Sequence, residues 1–170
     1  ETPRDLSSQF AKTEMLLAAF GIQVFKEAGY EADDIIATVA KKLEKEKNLE
    51  VIVVTGDLDA LQLVGPGLKV YTMKKGVSET VIYDEQVVKD RYGLKPKQLV
   101  DFKGLRGDPS DNIPGVKGIG EKTAAELIRN FGTIEGVYKA LPRGDKKISA
   151  SLADKLRAGE EEAKISIGTG

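Results

Sequence analysis

Apolar positions along the chain follow two rhythms, and the change between them sets out its elements. Leu6, Phe10, Met15, Leu17 and Phe20 predict an amphipathic helix, with Thr2 as N-cap, Pro3 at the first helical position and Gly21 at its end. Ile22–Phe25 predicts a short strand. From Glu31 to about Glu46, Ile35, Ile36, Val39, Ala40 and Leu43 mark the core face of a second helix. Within Glu50–Thr55 the unbroken run Val51–Val54 predicts a buried parallel strand. Leu58–Leu63 reads as one or two helical turns. Leu68–Thr72 and Thr80–Tyr83 read as two further strands, joined in a hairpin around Lys74-Lys75-Gly76. Asp84 is placed to cap a helix running to Tyr92, and Lys95-Pro96 opens another that reaches about Leu105. Beyond Gly107 strand signals stop, and Glu121–Asn130, Thr133–Ala140 and Ser149–Ala158 predict short helices.

The expected fold class is α/β: a mostly parallel sheet with flanking helices over residues 1–106, then a helical subdomain over 107–170. At 170 residues one substantial core with a small appended subdomain is affordable. The apolar runs are strand-sized, so no membrane partner is expected. With no signal peptide at the start and no cysteine, the default location is cytoplasmic.

Composition narrows the chemistry. Without His or Cys the chain has no imidazole base, no thiolate zinc site and no Ser-His-Asp or Cys-His pair. Carboxylates, lysines, arginines, hydroxyls and bound metal remain, which favours Mg²⁺ or Mn²⁺ held by oxygen ligands. The net charge of −1 conceals an asymmetry. Residues 1–114 carry 16 basic and 19 acidic side chains, whereas residues 115–158 carry 9 and 5. An acidic body followed by a basic segment suits a metal site beside a phosphate-binding surface, and chance variation in 44 residues gives the same imbalance.

Three acidic clusters fall at element ends: Glu31, Asp33 and Asp34 in GYEADD, Asp57 and Asp59 in VIVVTGDLD, and Asp108 and Asp111 in GDPSD. Asp57 and Asp59 follow a strand, where open parallel sheets collect ligands. Seven carboxylates converging on one edge would repel one another unless cations neutralised them, as at a two-metal site. Each cluster also has a plain structural reading: dipole-favoured acids in a first helical turn, a turn after a strand, and Asx-turn chemistry around Pro109.

GDPSD runs straight into a glycine turn, so that residues 107–124 read GDPSDNIPGVKGIGEKTA. Lys117, Gly118, Ile119, Gly120, Lys122 and Thr123 form a turn opening a helix near Glu121, suited to bringing a phosphate close to backbone N–H groups. Such a grip reads the backbone, so binding to nucleic acid should be independent of sequence and sensitive to salt. Lys139, Arg143, Lys146, Lys147, Lys155 and Arg157 extend it as a basic strip or form a solvated face. For Tyr30, Tyr71, Tyr83 and Tyr92, packing is the better reading than base stacking.

In order, GYEADD, VIVVTGDLDALQLV and DFKGLRGDPSDNIPGVKGIGEKTAAELI strongly resemble the 5′-nuclease domain of bacterial DNA polymerase I, within the flap endonuclease/5′-3′ exonuclease superfamily. The resemblance runs from about Pro3 to the C-terminus. It implies a PIN/flap-endonuclease-like fold and hydrolysis of DNA or RNA-primer phosphodiesters during replication and repair, with two Mg²⁺ or Mn²⁺ ions. By the same resemblance Glu31, Asp33 and Asp34 would chiefly serve the first ion, and Asp57, Asp59, Asp108 and Asp111 the second or the bridge between them. Gly118–Thr123 would be a helix–three-turn–helix that grips duplex DNA, where relatives also bind K⁺. The implied partner is branched or duplex DNA with a 5′ flap, and the implied setting a monomer in the bacterial cytoplasm, associated with the nucleoid.

The match has a gap. The family opens with a hydrophobic strand ending in a metal-binding Asp, followed by a further Asp and a basic helical arch, and none of these precedes Thr2. The expectation is a chain resembling the C-terminal two-thirds of the domain, binding branched or duplex DNA but cleaving it weakly or not at all. Two alternatives stand beside it: a non-catalytic DNA-binding remnant, and a metal-dependent DxD-type phosphatase built on Asp57 and Asp59.

Overall fold

The computed structural model describes residues 4–75 and 79–163. Thr2, Pro3 and the hairpin tip at Gly76 lie outside the described residues. The chain divides into two compact units, Glu1–Val39 and Ala40–Gly170.

In the first unit, helix α1 (Arg4–Ala19) closes as the glycine signal predicts. Gly21 takes a φ of 70°, its N–H donates to the Ala18 carbonyl, and the Ile22 N–H donates to that of Leu17. This is the Schellman arrangement, which needs a left-handed residue just past the helix end. The expected core face of α1 is corrected: Phe10, Met15 and Phe20 are exposed. At 3.6 residues per turn Met15 stands about 140° around the helix from Phe10, so these positions make no single stripe. The expected strand Ile22–Phe25 is also corrected. These residues form no strand, and Ile22, Val24 and Phe25 are exposed. Four residues without a pairing partner do not hold strand geometry. Helix α2 (Ala32–Leu43) starts where GYEADD predicts, and Asp34 accepts a hydrogen bond from the Glu31 N–H at 3.1 Å. The third helical position thereby reaches back to the cap, as in half of a capping box.

The second unit holds a sheet ordered β1 (Val51–Val54), β2 (Leu68–Lys75), β3 (Glu79–Tyr83). β1 pairs parallel to β2, Val53 against Val70, and β2 pairs antiparallel to β3, Val70 against Tyr83. The sheet is therefore mixed rather than mostly parallel. So short a connection between β2 and β3 permits only antiparallel pairing, since a parallel partner needs a crossover of a dozen residues or more. β1 is not buried on both faces as its apolar run suggests: Val53 is buried, while Ile52 and Val54 are exposed.

Helices follow. Asp84 caps α3 (Glu85–Tyr92) by accepting from the Val87 N–H at 2.8 Å, and Gly93 ends it at φ 66°. A 3₁₀ turn at Pro96–Gln98 leads into α4 (Leu99–Arg106), then come α5 (Glu121–Phe131), α6 (Ile134–Ala140) and α7 (Ala150–Ala158). Leu105, Ile128, Ile134, Val137 and Leu156 are fully buried and fuse α4 to α7 into one core. Two side chains of the α4 segment bind the helices that follow. The Gln98 amide donates to the carbonyls of Ile128 and Gly132, and Asp101 accepts from the Ile134 N–H at 2.8 Å. α4 is thus anchored at its start, while its far end carries the acidic loop.

Candidate metal centre and nucleic-acid interface

The 3₁₀ helix Leu58–Leu63 begins just beyond the carboxyl end of β1. Asp57 caps it, accepting from the Asp59 N–H at 2.9 Å, while the Asp57 N–H donates to Thr55 Oγ1 at 3.0 Å. The cap turns the next carboxylate, Asp59, toward α4. From the end of α4, Gly107 at φ 83° turns the chain into GDPSD. The loop closes on itself: the N–H groups of Asp108 and Ile113 each donate to the other's carbonyl at 2.9 Å. Asp108 completes an Asx turn by accepting from the Ser110 N–H at 3.2 Å and from its hydroxyl at 2.5 Å.

These turns bring Asp59, Asp108 and Asp111 together. Each presents a carboxylate oxygen within 4.8 Å of the others, the only such group among the described residues. Asp57, its carboxylate engaged as a cap, lines the adjoining cavity of about 610 Å³ together with Asp59, Lys103, Asp108, Arg91 and Arg106. Glu31, Asp33 and Asp34 stand at the start of α2, where Asp34 bonds the Glu31 N–H. An all-oxygen set of three carboxylates fits a hard divalent cation such as Mg²⁺ or Mn²⁺.

Cations of the chain already balance the cluster. Lys103 contacts Asp59, and its Nζ lies 2.9 Å from Asp108 Oδ2 and 3.5 Å from Asp111 Oδ2. Arg106 Nη2 is 3.4 Å from the same Asp108 oxygen, and its guanidinium lies over the Phe102 ring. Hydrogen bonds from Ser110, then Lys103, pull the Asp108 carboxyl down to about 2. Asp59 moves the other way: burial raises it, and Asp111 adds to that against the opposing bond from Lys103. Burial alone would lower Lys103, but its bonds to Asp59 and Asp108 outweigh burial and raise it. Sequence reasoning passed over Lys103 and Arg106. Their spacing of three on a helix entering an acidic loop, which puts both on one face, is the signal that would have found them.

Beyond the acidic loop, Gly115 at φ 61° packs its backbone against Gly107, and the Val116 N–H donates to the Leu105 carbonyl. Ile119 is buried and pins the turn, while Lys117, Gly118, Gly120 and Lys122 are exposed and Thr123 is half-buried. Gly120 caps α5 with no side chain, so the first-turn N–H groups face outward with an open approach. Lys155 of the basic strip donates to the Gly118 carbonyl at 3.3 Å, and Arg157 pairs with Asp154 at 3.2 Å. Of the tyrosines, Tyr83 is buried, Tyr92 meets Phe102 edge-on at 6.1 Å, and Tyr30 is exposed.

Comparison with known proteins gives these features their setting. Residues 1–93 match the model of the 5′-3′ exonuclease N-terminal resolvase-like domain, and residues 94–167 that of the 5′-3′ exonuclease C-terminal SAM fold. The chain belongs to the 5′-3′ exonuclease family. The boundary between the two 5′-3′ exonuclease segments falls at Gly93, the left-handed residue that ends α3. The chain is 46% identical to DNA polymerase I of Bacillus caldotenax over 98% of its own length and 18% of that protein. It is 41% identical to the thermostable DNA polymerase I of Thermus thermophilus, over 97% and 19%. It therefore spans under a fifth of the length of these curated relatives. Among solved structures it resembles the T5 D15 protein co-crystallized with metal ions (TM-score 0.77, 22% identity, 98% of this chain and 61% of that one). It also resembles the catalytic core of Rad2 in complex with DNA substrate (TM-score 0.61, 24% identity, 94% and 50%). At these identities the likeness is one of fold. It bears out the expected α/β fold with a helical C-terminal portion. Among the described residues no helix is long and apolar enough to cross a membrane.

Proposed function

We propose that the chain supplies the metal- and DNA-binding parts of a structure-specific 5′ nuclease that hydrolyses phosphodiesters of DNA or RNA primers. The observation that carries this reading is the convergence of Asp59, Asp108 and Asp111 next to the exposed glycine turn. Asp57, Asp59, Asp108 and Asp111 would hold one Mg²⁺ or Mn²⁺ or bridge to a second, and Glu31, Asp33 and Asp34 would serve the other. Such ions, when bound, activate water and neutralise charge on the phosphodiester.

The chain's own residues then divide the task, with the nuclease core in 1–106 and the DNA-binding subdomain in 107–170. Lys117, Gly118, Gly120, Lys122 and Thr123 would grip the phosphates of one strand through backbone N–H groups and positive charge, with Ile119 anchoring them. K⁺ at this turn belongs to the same proposal. The grip reads no base edge, so the substrate would be chosen by shape: duplex or branched DNA with a 5′ flap. Relatives named DNA polymerase I support a role in replication and repair; a monomer in the bacterial cytoplasm, associated with the nucleoid, belongs to the same proposal.

The test is cleavage of a 5′-flap substrate in Mg²⁺ by the full-length protein, against its Asp108→Asn variant. Loss of at least about a hundredfold in rate is expected, since even the groups that support metal ligands typically cost about 10- to 100-fold when removed. Equal rates would sink the assignment.

A further inference from the structure

Lys103 has no part in the chemistry above, yet its ammonium sits at the centre of the carboxylates. It contacts Asp59 and lies 2.9 Å from Asp108 Oδ2 and 3.5 Å from Asp111 Oδ2. These are the same three carboxylates whose oxygens converge within 4.8 Å. An ammonium has three N–H donors and no acceptor, and here three anionic groups surround it. Its side chain is only 22% exposed, so solvent screens these pairs less than it would surface ones. Arg106 is no equivalent, since of the three carboxylates it bonds Asp108 alone.

We propose that Lys103 is a tethered counter-cation that competes with a divalent ion for Asp59, Asp108 and Asp111. The proposal rests on the nuclease reading. A divalent ion held by these oxygens would stand a few ångströms from the ammonium, and like charges at that separation repel strongly inside a protein. Binding the ion therefore requires Lys103 to leave. Its flexible stem and the adjoining cavity of about 610 Å³ give it somewhere to go. Until then the lysine holds mutually repelling carboxylates in place. It sets the concentration at which the site fills and adds to the stability of the metal-free protein.

Calorimetric titration with Mn²⁺ alone tests this on the wild type, Lys103→Met, Lys103→Arg and Asp108→Asn, with melting followed in chelator and in Mn²⁺. Lys103→Met should bind Mn²⁺ about tenfold more tightly, equivalent to about 1.4 kcal/mol. It should also melt lower than wild type in chelator and gain more from Mn²⁺. Lys103→Arg, which keeps the charge, should bind as the wild type does. Equal or weaker binding by Lys103→Met, with Asp108→Asn still abolishing binding, overturns the competition and leaves the metal site standing. Mn²⁺ binding that ignores Asp108→Asn, or no binding by any variant, overturns the metal site itself and the competition with it. If Lys103→Met does not fold, Lys103→Gln carries the same comparison, one atom shorter than lysine and keeping a donor without charge.

Discussion

Two facing glycines decide where Asp108 can stand. Gly107 and Gly115 take φ values of 83° and 61°, and a Cβ on Gly115 would collide with the Gly107 backbone. Gly115→Ala therefore suffers both a left-handed penalty and a clash. It should lower stability by about 3 kcal/mol in urea denaturation, the range for strained backbone combined with overpacking. Because the displaced loop carries Asp108 and Asp111, Mn²⁺ affinity should fall with it. An unchanged midpoint would show that the loop yields easily and is no rigid mount. The Asx turn at Asp108 was legible in GDPSD, because Ser110 lies two residues away. The Lys103–Asp59 contact was not, since 44 positions separate its partners and no local spacing encodes it.

Among the elements, α5 offers a clean separation of backbone strain from ligand approach. A Cβ on Gly120 meets nothing within 4 Å, and its φ of −93° suits any residue. Gly120→Ala should therefore keep stability within about 1 kcal/mol of wild type, the usual span for an N-cap change. If a phosphate approaches this helix end, the same variant should weaken duplex binding about tenfold, a loss of about 1.4 kcal/mol measurable by fluorescence anisotropy. Between α6 and α7, the Tyr138 hydroxyl donates to the Leu156 carbonyl at 3.0 Å. Burial, with Glu160 and Glu162 adding to it, pushes this phenol up to about 12. The folded state thus holds the proton more tightly than the unfolded state, whose tyrosine titrates near 10. Stability from this group is full below about pH 10 and is lost as pH rises from there to about 12. Tyr138→Phe should flatten that alkaline limb in melting curves while lowering stability at neutral pH by about 1 kcal/mol for the lost hydrogen bond. A limb as steep as that of wild type would assign the transition to another group. At this scale the sequence was informative where a cap or turn lies within a few residues, as at Asp84 and Gly21. It misled at Ile22–Phe25, where β-propensity had no neighbouring strand to pair with.

For the whole molecule, the proposed binding of DNA by a chain of net charge −1 would have to come through its uneven distribution, with 9 basic against 5 acidic side chains in residues 115–158. Duplex affinity should fall steeply and linearly with salt on logarithmic axes, and Lys122→Ala should reduce the slope by about 1, as for one lost phosphate contact. Affinity indifferent to salt would remove the phosphate grip. By itself the sequence determined the caps, the hairpin, the Asx and glycine turns and the set of carboxylates on offer. The caps and turns depend on backbone conformations and hydrogen bonds within about six residues, and the hairpin on pairs such as Val70 and Tyr83 in one short stretch of chain. Only the tertiary structure decided that Asp59 meets Asp108 and Asp111, that Lys103 lies among them, and that the sheet is mixed. These follow from packing β1, its 3₁₀ helix and α4 into one core, where residues tens of positions apart become neighbours and a charge takes its meaning from its surroundings.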